Sequence, residues 1–463
     1  MMATEATQTA QPELKRAIGP KLLFFFVLGD VLGTGIYALT GSVAGKVGGA
    51  LWLPFLLAFV VAFLTAFSYL ELVGKYPKAA GAALYTNKAF RIPFLTFLVA
   101  FAVMCSGITS ASAAARAFAA TYLPASFNVT VSSTVIAVVA VAFVLLLAGI
   151  NFIGVSESVK ANVVLTCIEV SGLAIIIGVG IFAVGGGKGE PARLTEINTS
   201  GQSWLLAVTA ATSLAFFAMV GFEDSVNMAE ECTDPPRIFP KALLAGLAGA
   251  AVIYVLVAIT SSLLIPAHEL AGAKSNALLK VISVGAPDFP LRLFAIIGLF
   301  AVVNSALINM LMASRLLYGM ANEGILPKAF GTVHPFRRTP WVAIIFTTAI
   351  AAVLVASAGA DGVSKLGGTT ALLLLAVFTI VNVAVLVLRR ETVPHKHFRA
   401  PTVAPVLACA LCAYLAIPVL SGRPASDYYI ALILLGVGVL LWGVNYLYLR
   451  TAGTRTRRAP TPS

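Results

Sequence analysis

Charge is what this chain lacks. Asp, Glu, Lys and Arg make up 11% of its 463 residues, where a water-soluble domain carries roughly 25%. With 59% apolar residues and a mean hydropathy of +0.95, there is too little polar surface to face water all round. The bilayer must solvate most of the chain. Histidine is scarce as well: His268, His334, His395 and His397 all fall in predicted loops, so no metal site is expected inside the membrane. The five cysteines (Cys105, Cys167, Cys232, Cys409, Cys412) do not suggest a disulfide framework. Cys409 and Cys412 form a C-x-x-C within an apolar run, where cysteine is an ordinary small buried residue. Clustered metal ligands, or a nucleophile beside a base near one membrane face, are also missing, which speaks against an enzyme and against a cofactor.

Acidic residues are outnumbered by basic ones, giving a net charge of +12. A nucleic-acid partner does not follow, because the basic residues sit in short loops between apolar runs. If the N-terminus is cytoplasmic, 22 of the 31 lysines and arginines fall on cytoplasmic segments, 8 on the opposite side, and Arg116 within a span. That bias follows the positive-inside rule and supports an even number of spans with both termini inside. The tail residues Arg450, Arg455, Arg457 and Arg458 belong to it. The first apolar run lacks a small-x-small cleavage site and reads as a span rather than a leader. A plasma or inner membrane is the expected location.

At about 20 apolar residues per span, twelve segments are expected: 21–47, 50–73, 92–122, 131–150, 161–184, 204–228, 240–265, 291–321, 341–358, 366–388, 403–420 and 428–449. The third and eighth are long enough to be tilted. The expected organisation is a tail (1–20), a core (21–390), two peripheral helices (391–450) and a basic tail (451–463).

Two spans break the helical pattern. The first holds Gly29, Asp30, Gly33 and Gly35 at mid-membrane; the sixth holds Gly221, Glu223 and Asp224 there. Interrupted helices at corresponding places of two halves point to a transporter site. Unwound backbone in lipid is tolerable only where a cavity or ligand satisfies it. The N–H groups after Gly33 would open a half-helix whose positive end attracts a carboxylate. The carbonyls of Val31, Phe217 and Val220 would accept from an ammonium. One site would then read both ends of an α-amino acid, with Thr34 adding a hydroxyl and Phe217 an apolar lid.

Gly33-Thr34-Gly35-Ile36-Tyr37 resembles the G-S/T-G-I-F/Y motif of the amino acid–polyamine–organocation (APC) family. Tyr69–Leu72 with Tyr76-Pro77-Lys78-Ala79-Ala80-Gly81 and Tyr85 resembles the loop after the family's second span. Phe217 to Gly221 with Ala229-Glu230-Glu231 and Pro240 is similar to its sixth span and exit. The stretch from Ala313 to Ala321, with Gly324 to Lys328 and Arg338 to Ala343, is similar to span eight and its loop.

The resemblance implies an all-α multipass membrane protein of twelve helices with the leucine-transporter fold. Spans one to five and six to ten would be inverted repeats, with helices one and six broken and spans eleven and twelve peripheral. It implies a permease that moves amino acids by alternating access, driven by an ion gradient. Gly33, Thr34 and Gly35 match the carboxylate-binding positions, and Val31, Phe217 and Val220 the amine-binding carbonyls. Ile36, Ala218 and Gly221 complete the two substrate-binding stretches. Glu223 matches an acidic position of the family's polyamine and cationic-amino-acid exchangers. Proton-coupled relatives carry a lysine in span five where this chain has Glu169, so the lysine mechanism does not transfer.

An ionised side chain at mid-bilayer costs roughly 2.5–3.5 kcal/mol, so Asp30, Arg116, Glu169, Glu223 and Asp224 must be paired, protonated or wet. Arg116 is expected to pair with one of the acids, and Asp30 and Glu169 to carry protons. The alternative is sodium held by carboxylates with Asn304 and Ser305 of span eight. Glu230 and Glu231, at the cytoplasmic end of span six, are expected to form a salt-bridged gate. Proton-coupled amino acid uptake is the leading expectation; an exchanger of cationic amino acids or polyamines, or a sodium symporter, is the alternative. A channel is disfavoured, because there is no repeated pore loop.

Overall fold

The computed structural model describes residues 18–78, 81–153, 158–198, 201 and 203–456. Residues 1–17 and 457–463 of the two expected tails, and Ala79 and Ala80 of the loop motif, lie outside the described residues. What is described is helical; β pairing there is confined to two isolated bridges, Ile18 with Cys232 and Gly48 with Ile197.

The first span is two helices, α1 (Pro20–Val31) and α2 (Thr34–Val47). The second is α3 (Trp52–Lys75), followed by the short α4 (Gly81–Phe90). The third, α5 (Pro93–Ala117), runs on through a π turn at Phe118–Tyr122 and a last turn to Phe127. Then come α6 (Ser133–Ile153), α7 (Ser158–Gly185) and α8 (Trp204–Ala215), which opens the sixth span. The seventh, α9 (Pro235–Leu264), leads into the short α10 (Ala267–Ala273) and α11 (Ala277–Gly285). The chain ends with α12 (Leu291–Asn322), α13 (Trp341–Ser357), α14 (Gly362–Leu388), α15 (Val403–Ala416) and α16 (Ala425–Thr456).

Among the described residues, ten of the twelve expected spans are long and apolar enough to cross a membrane. The ninth and eleventh, α13 and α15, have 17 and 14 residues. At 1.5 Å per residue they rise about 26 and 21 Å, short of a core about 30 Å thick. The apolar run 403–420 does not stay one helix, because Pro418 follows Ile417. The residue before a proline is pushed out of the helical region, and Ile417 is extended (φ −75°, ψ 127°).

Burial separates a centre from a rim. In the first and sixth spans 83% of the apolar window is buried, against 28% in α6 and 22% in α16. Leu145 and Leu146 of α6 and Leu432, Ile433 and Leu440 of α16 point outward, as lipid-facing residues do. Around the two central spans α12 and α14 pack on α5, and α9 on α3. The two broken spans therefore sit where the bundle is most enclosed.

Candidate functional site

The first break is short. Leu32 closes α1 with its N–H on the Leu28 carbonyl, Gly33 turns the chain, and α2 starts at Thr34. No side chain caps α2, so its leading N–H groups have no helical partner. The Val31 carbonyl is not free, as the sequence suggests. Tyr254 of α9 donates its hydroxyl to it at 2.5 Å, which leaves one lone pair for a ligand.

The second break is longer. After α8 the chain tightens into a 3-10 turn at Phe216–Met219, and Val220 is extended (φ −76°, ψ 147°). Gly221 turns with φ +121°, a conformation open to glycine and costly to residues with a Cβ. The span resumes as a 3-10 helix over Asp224–Glu231. The two breaks touch. A Cβ on Gly221 would lie 2.8 Å from the Asp30 backbone oxygen, and one on Gly35 would lie 2.4 Å from Ala218 Cα. Gly35 thus permits close packing. A Cβ on Gly33 would meet Ser305 at 2.9 Å.

Between the breaks is a cavity of about 10 Å³, about the space of one water sphere. From span one it is lined by Asp30, Val31, Gly33, Thr34 and Gly35; from span six by Phe217, Val220, Gly221 and Asp224; and from α12 by Ser305. The Thr34 hydroxyl oxygen is buried with no hydrogen-bond partner among the described residues. Ile36 is wholly buried in the core, and Ala218 stands behind Gly35. Glu169, Glu223 and Asn304 are not in the lining. Two lining residues were missed by sequence reasoning, Ser110 of α5 and Asn309 of α12. Both are small polar residues in long apolar helices, and only their shared polarity marked them.

The carboxylates form two groups. Asp30, Glu223 and Asp224 are each under 10% exposed, and none forms an ion pair among the described residues. Glu223 Oε2 accepts the Gly221 N–H at 2.9 Å; Asp30 Oδ2 has no partner among the described residues. Glu169 is fully buried behind span one. Its Oε1 accepts from Asn304 Nδ2 at 3.1 Å, its backbone oxygen accepts from the Tyr37 hydroxyl at 2.6 Å, and its Oε2 has no partner among the described residues.

Arg116 corrects the sequence reading. Its guanidinium donates to the Gly359 carbonyl, just before α14, and pairs with no acid among the described residues. Burial is tolerable there because a backbone carbonyl takes its donor.

Both ends of the region between spans one and six are covered. On the N-terminal side Ile18 donates its N–H to the Glu231 carbonyl (3.0 Å) and accepts from Thr233 N–H (3.1 Å). Glu231 closes this end with its backbone and makes no salt bridge among the described residues, while the side chain of Glu230, the other acid of the expected gate, lies outside the described ones. On the other side α10 and the turn after it press on α2, where a Cβ on Gly41 would lie 2.3 Å from the Lys274 oxygen. Lys274 in turn pairs with Asp361 at 2.8 Å. Lysine holds the Asp361 carboxyl below the usual carboxylate range.

The profile of one protein family, described as amino acid permease, matches residues 18–442. The chain belongs to that family. The chain is 28% identical to a methylthioribose transporter of Bacillus subtilis, over 97% of this chain and 96% of the relative. It is 24% identical to a branched-chain amino acid permease of the same organism, over 89% of each. A chloroplastic cationic amino acid transporter of Arabidopsis thaliana is 26% identical over 72% of this chain and 60% of its own length. The family and these relatives are transporters, not enzymes, and the chain is a multi-pass membrane protein that handles a small solute.

Proposed function

We propose that the protein takes up amino acids by proton-coupled alternating access, with the leucine-transporter arrangement of inverted repeats and both termini cytoplasmic. The observation that carries this reading is the meeting of the two helix breaks around a buried cavity. The uncapped start of α2 and the Thr34 hydroxyl suit an α-carboxylate; the second lone pair of the Val31 carbonyl and the carbonyls of Phe217 and Val220 suit the ammonium. With space for about one water, the cavity corresponds to a contracted state, which must widen to admit a solute from either side.

Asp30 and Glu169 supply the coupling. Among the described residues each has one carboxylate oxygen with no partner, and neither forms an ion pair. A proton removes the cost of burying that charge, so the proton-loaded carrier passes through the closed state more readily. Uptake of a labelled amino acid panel into proteoliposomes, with an imposed pH gradient, an imposed sodium gradient or neither, tests the reading. Accumulation with the pH gradient alone supports it; accumulation only with sodium replaces the proton by sodium, and no uptake of any amino acid removes the function.

A second reading is favoured by one observation. Asp30 and Asp224 both face the cavity without a paired cation among the described residues. A substrate with a second positive charge would offset them, which makes cationic amino acids or polyamines, moved by exchange, the alternative. Faster uptake of arginine or putrescine than of any neutral amino acid selects it.

A further inference from the structure

A second cavity lies at the opposite end of span one from Ile18. It is larger, about 210 Å³ against about 10 Å³ at the centre. Pockets for drug-sized ligands span roughly 300–1,000 Å³, so this one suits a small solute. Its walls come from the end of α2, from α8, from the start of α14 and from the turn before α16.

The charges in it are unevenly matched. Arg423, with its side chain 2% exposed, is fully engaged: Nε donates to the Leu415 carbonyl (3.0 Å), Nη1 to Gly368 (2.8 Å) and Nη2 to Ser213 (2.8 Å). It also lies 3.7 Å from Asp427. This arginine builds the wall and has little left for a ligand. The other acid, Asp361, is held by Lys274. Each acid thus has its own cation. Two half-buried lysines remain, Lys46 and Lys365, whose ammonium groups make no ion pair or hydrogen bond among the described residues. Leu214 and Pro424 supply apolar wall.

The cavity also comes close to the central one along span six. Leu214 in its wall and Phe217 in the central lining are three residues apart on span six, about one helical turn.

We propose that this cavity is a second ligand site, which captures the carboxylate of a small solute through Lys46 and Lys365 before the central cavity opens. The role in capture rests on the proposed path between spans one and six; carboxylate binding at the lysines does not. The apolar part of the solute lies on Leu214 and Pro424. The excess positive charge draws the anion in, an effect that raises association rates by about 10- to 1,000-fold where a cleft focuses it and that salt weakens.

Labelled isobutyrate, which has a carboxylate and a branched tail but no ammonium, probes the site in the purified full-length protein. Saturable binding is expected, weakened at least tenfold in K46Q/K365Q, restored in K46R/K365R and unchanged in the central variant Gly35→Ala. In proteoliposomes, K46Q/K365Q should lower kcat/KM about tenfold for the best amino acid of the panel, with kcat held. Equal binding by wild type and K46Q/K365Q, no binding by either, or displacement by equimolar chloride overturns the carboxylate site. Lysine-dependent binding with unchanged kcat/KM overturns its part in capture. Lysine-dependent binding without uptake of any amino acid keeps the binding site and removes the central reading instead.

Discussion

Gly33 gives the sharpest test of how the two halves meet. A Cβ there would sit 2.9 Å from both Cβ and Oγ of Ser305, with the next neighbour, the Asp30 oxygen, at 3.8 Å. Ordinary contact begins at 3.4 Å, so Gly33→Ala requires α12 or the span-one break to move by about 0.5 Å. Overpacking of this kind costs about 1–3 kcal/mol, which is about 5- to 150-fold if all of it falls on states in which the spans touch. Ser305→Gly removes the only atoms in the way and leaves the 3.8 Å contact. The four proteins (wild type, G33A, S305G, G33A/S305G) form a double-mutant cycle. Initial uptake rates, normalised to monodisperse protein, should show G33A strongly impaired and G33A/S305G close to S305G. The expected coupling is about 1–2 kcal/mol, inside the range found for touching residues. A coupling indistinguishable from zero would mean that the Ser305 contact does not explain Gly33, and that the methyl group acts on the ligand or the backbone instead.

Gly221→Ala combines a left-handed φ of +121° with a Cβ 2.8 Å from the Asp30 backbone; strained backbone alone costs about 1–3 kcal/mol. It should abolish uptake while the protein still inserts, and wild-type uptake by this variant would refute contact between the breaks. Asp30→Asn and Glu169→Gln mimic the protonated carboxyl, so at least one should lose concentrative uptake and keep counterflow exchange. Wild-type uptake should rise as external pH falls from about 7.5 to 5.5, because a proton taken up from outside removes the cost of carrying these buried charges through the closed state; two variants that still accumulate substrate with an unchanged pH response would make these carboxylates structural. Asp361→Asn breaks the pair with Lys274, whose side chains are 55% and 54% exposed, so the loss should stay under about 1 kcal/mol and shrink with salt. The lowered Asp361 carboxyl contributes its stability above the unfolded value and loses it as pH falls through the folded one; a thermal-shift difference between wild type and Asp361→Asn should therefore be level from pH 5 to 8 and vanish only in strong acid.

The sequence by itself determined what composition and periodicity control. Eleven per cent charge and long apolar runs require a membrane protein, and glycine beside carboxylate at mid-span marks helices that cannot stay regular. Those signals are local, so they survive without coordinates. The packing between spans was not legible, because it depends on which face of each helix turns inward, and uniformly apolar helices carry little signal for that. Tertiary structure decided that Ser110 and Asn309 line the cavity while Glu169 and Asn304 stand behind it. It set Arg116 on the Gly359 carbonyl instead of an acid, and Tyr254 on the Val31 carbonyl. It also explained Gly35 by its contact with Ala218, 183 residues further along the chain. In each case the partner comes from a distant segment, and a buried polar group is satisfied by whichever donor or acceptor the packed bundle places within reach.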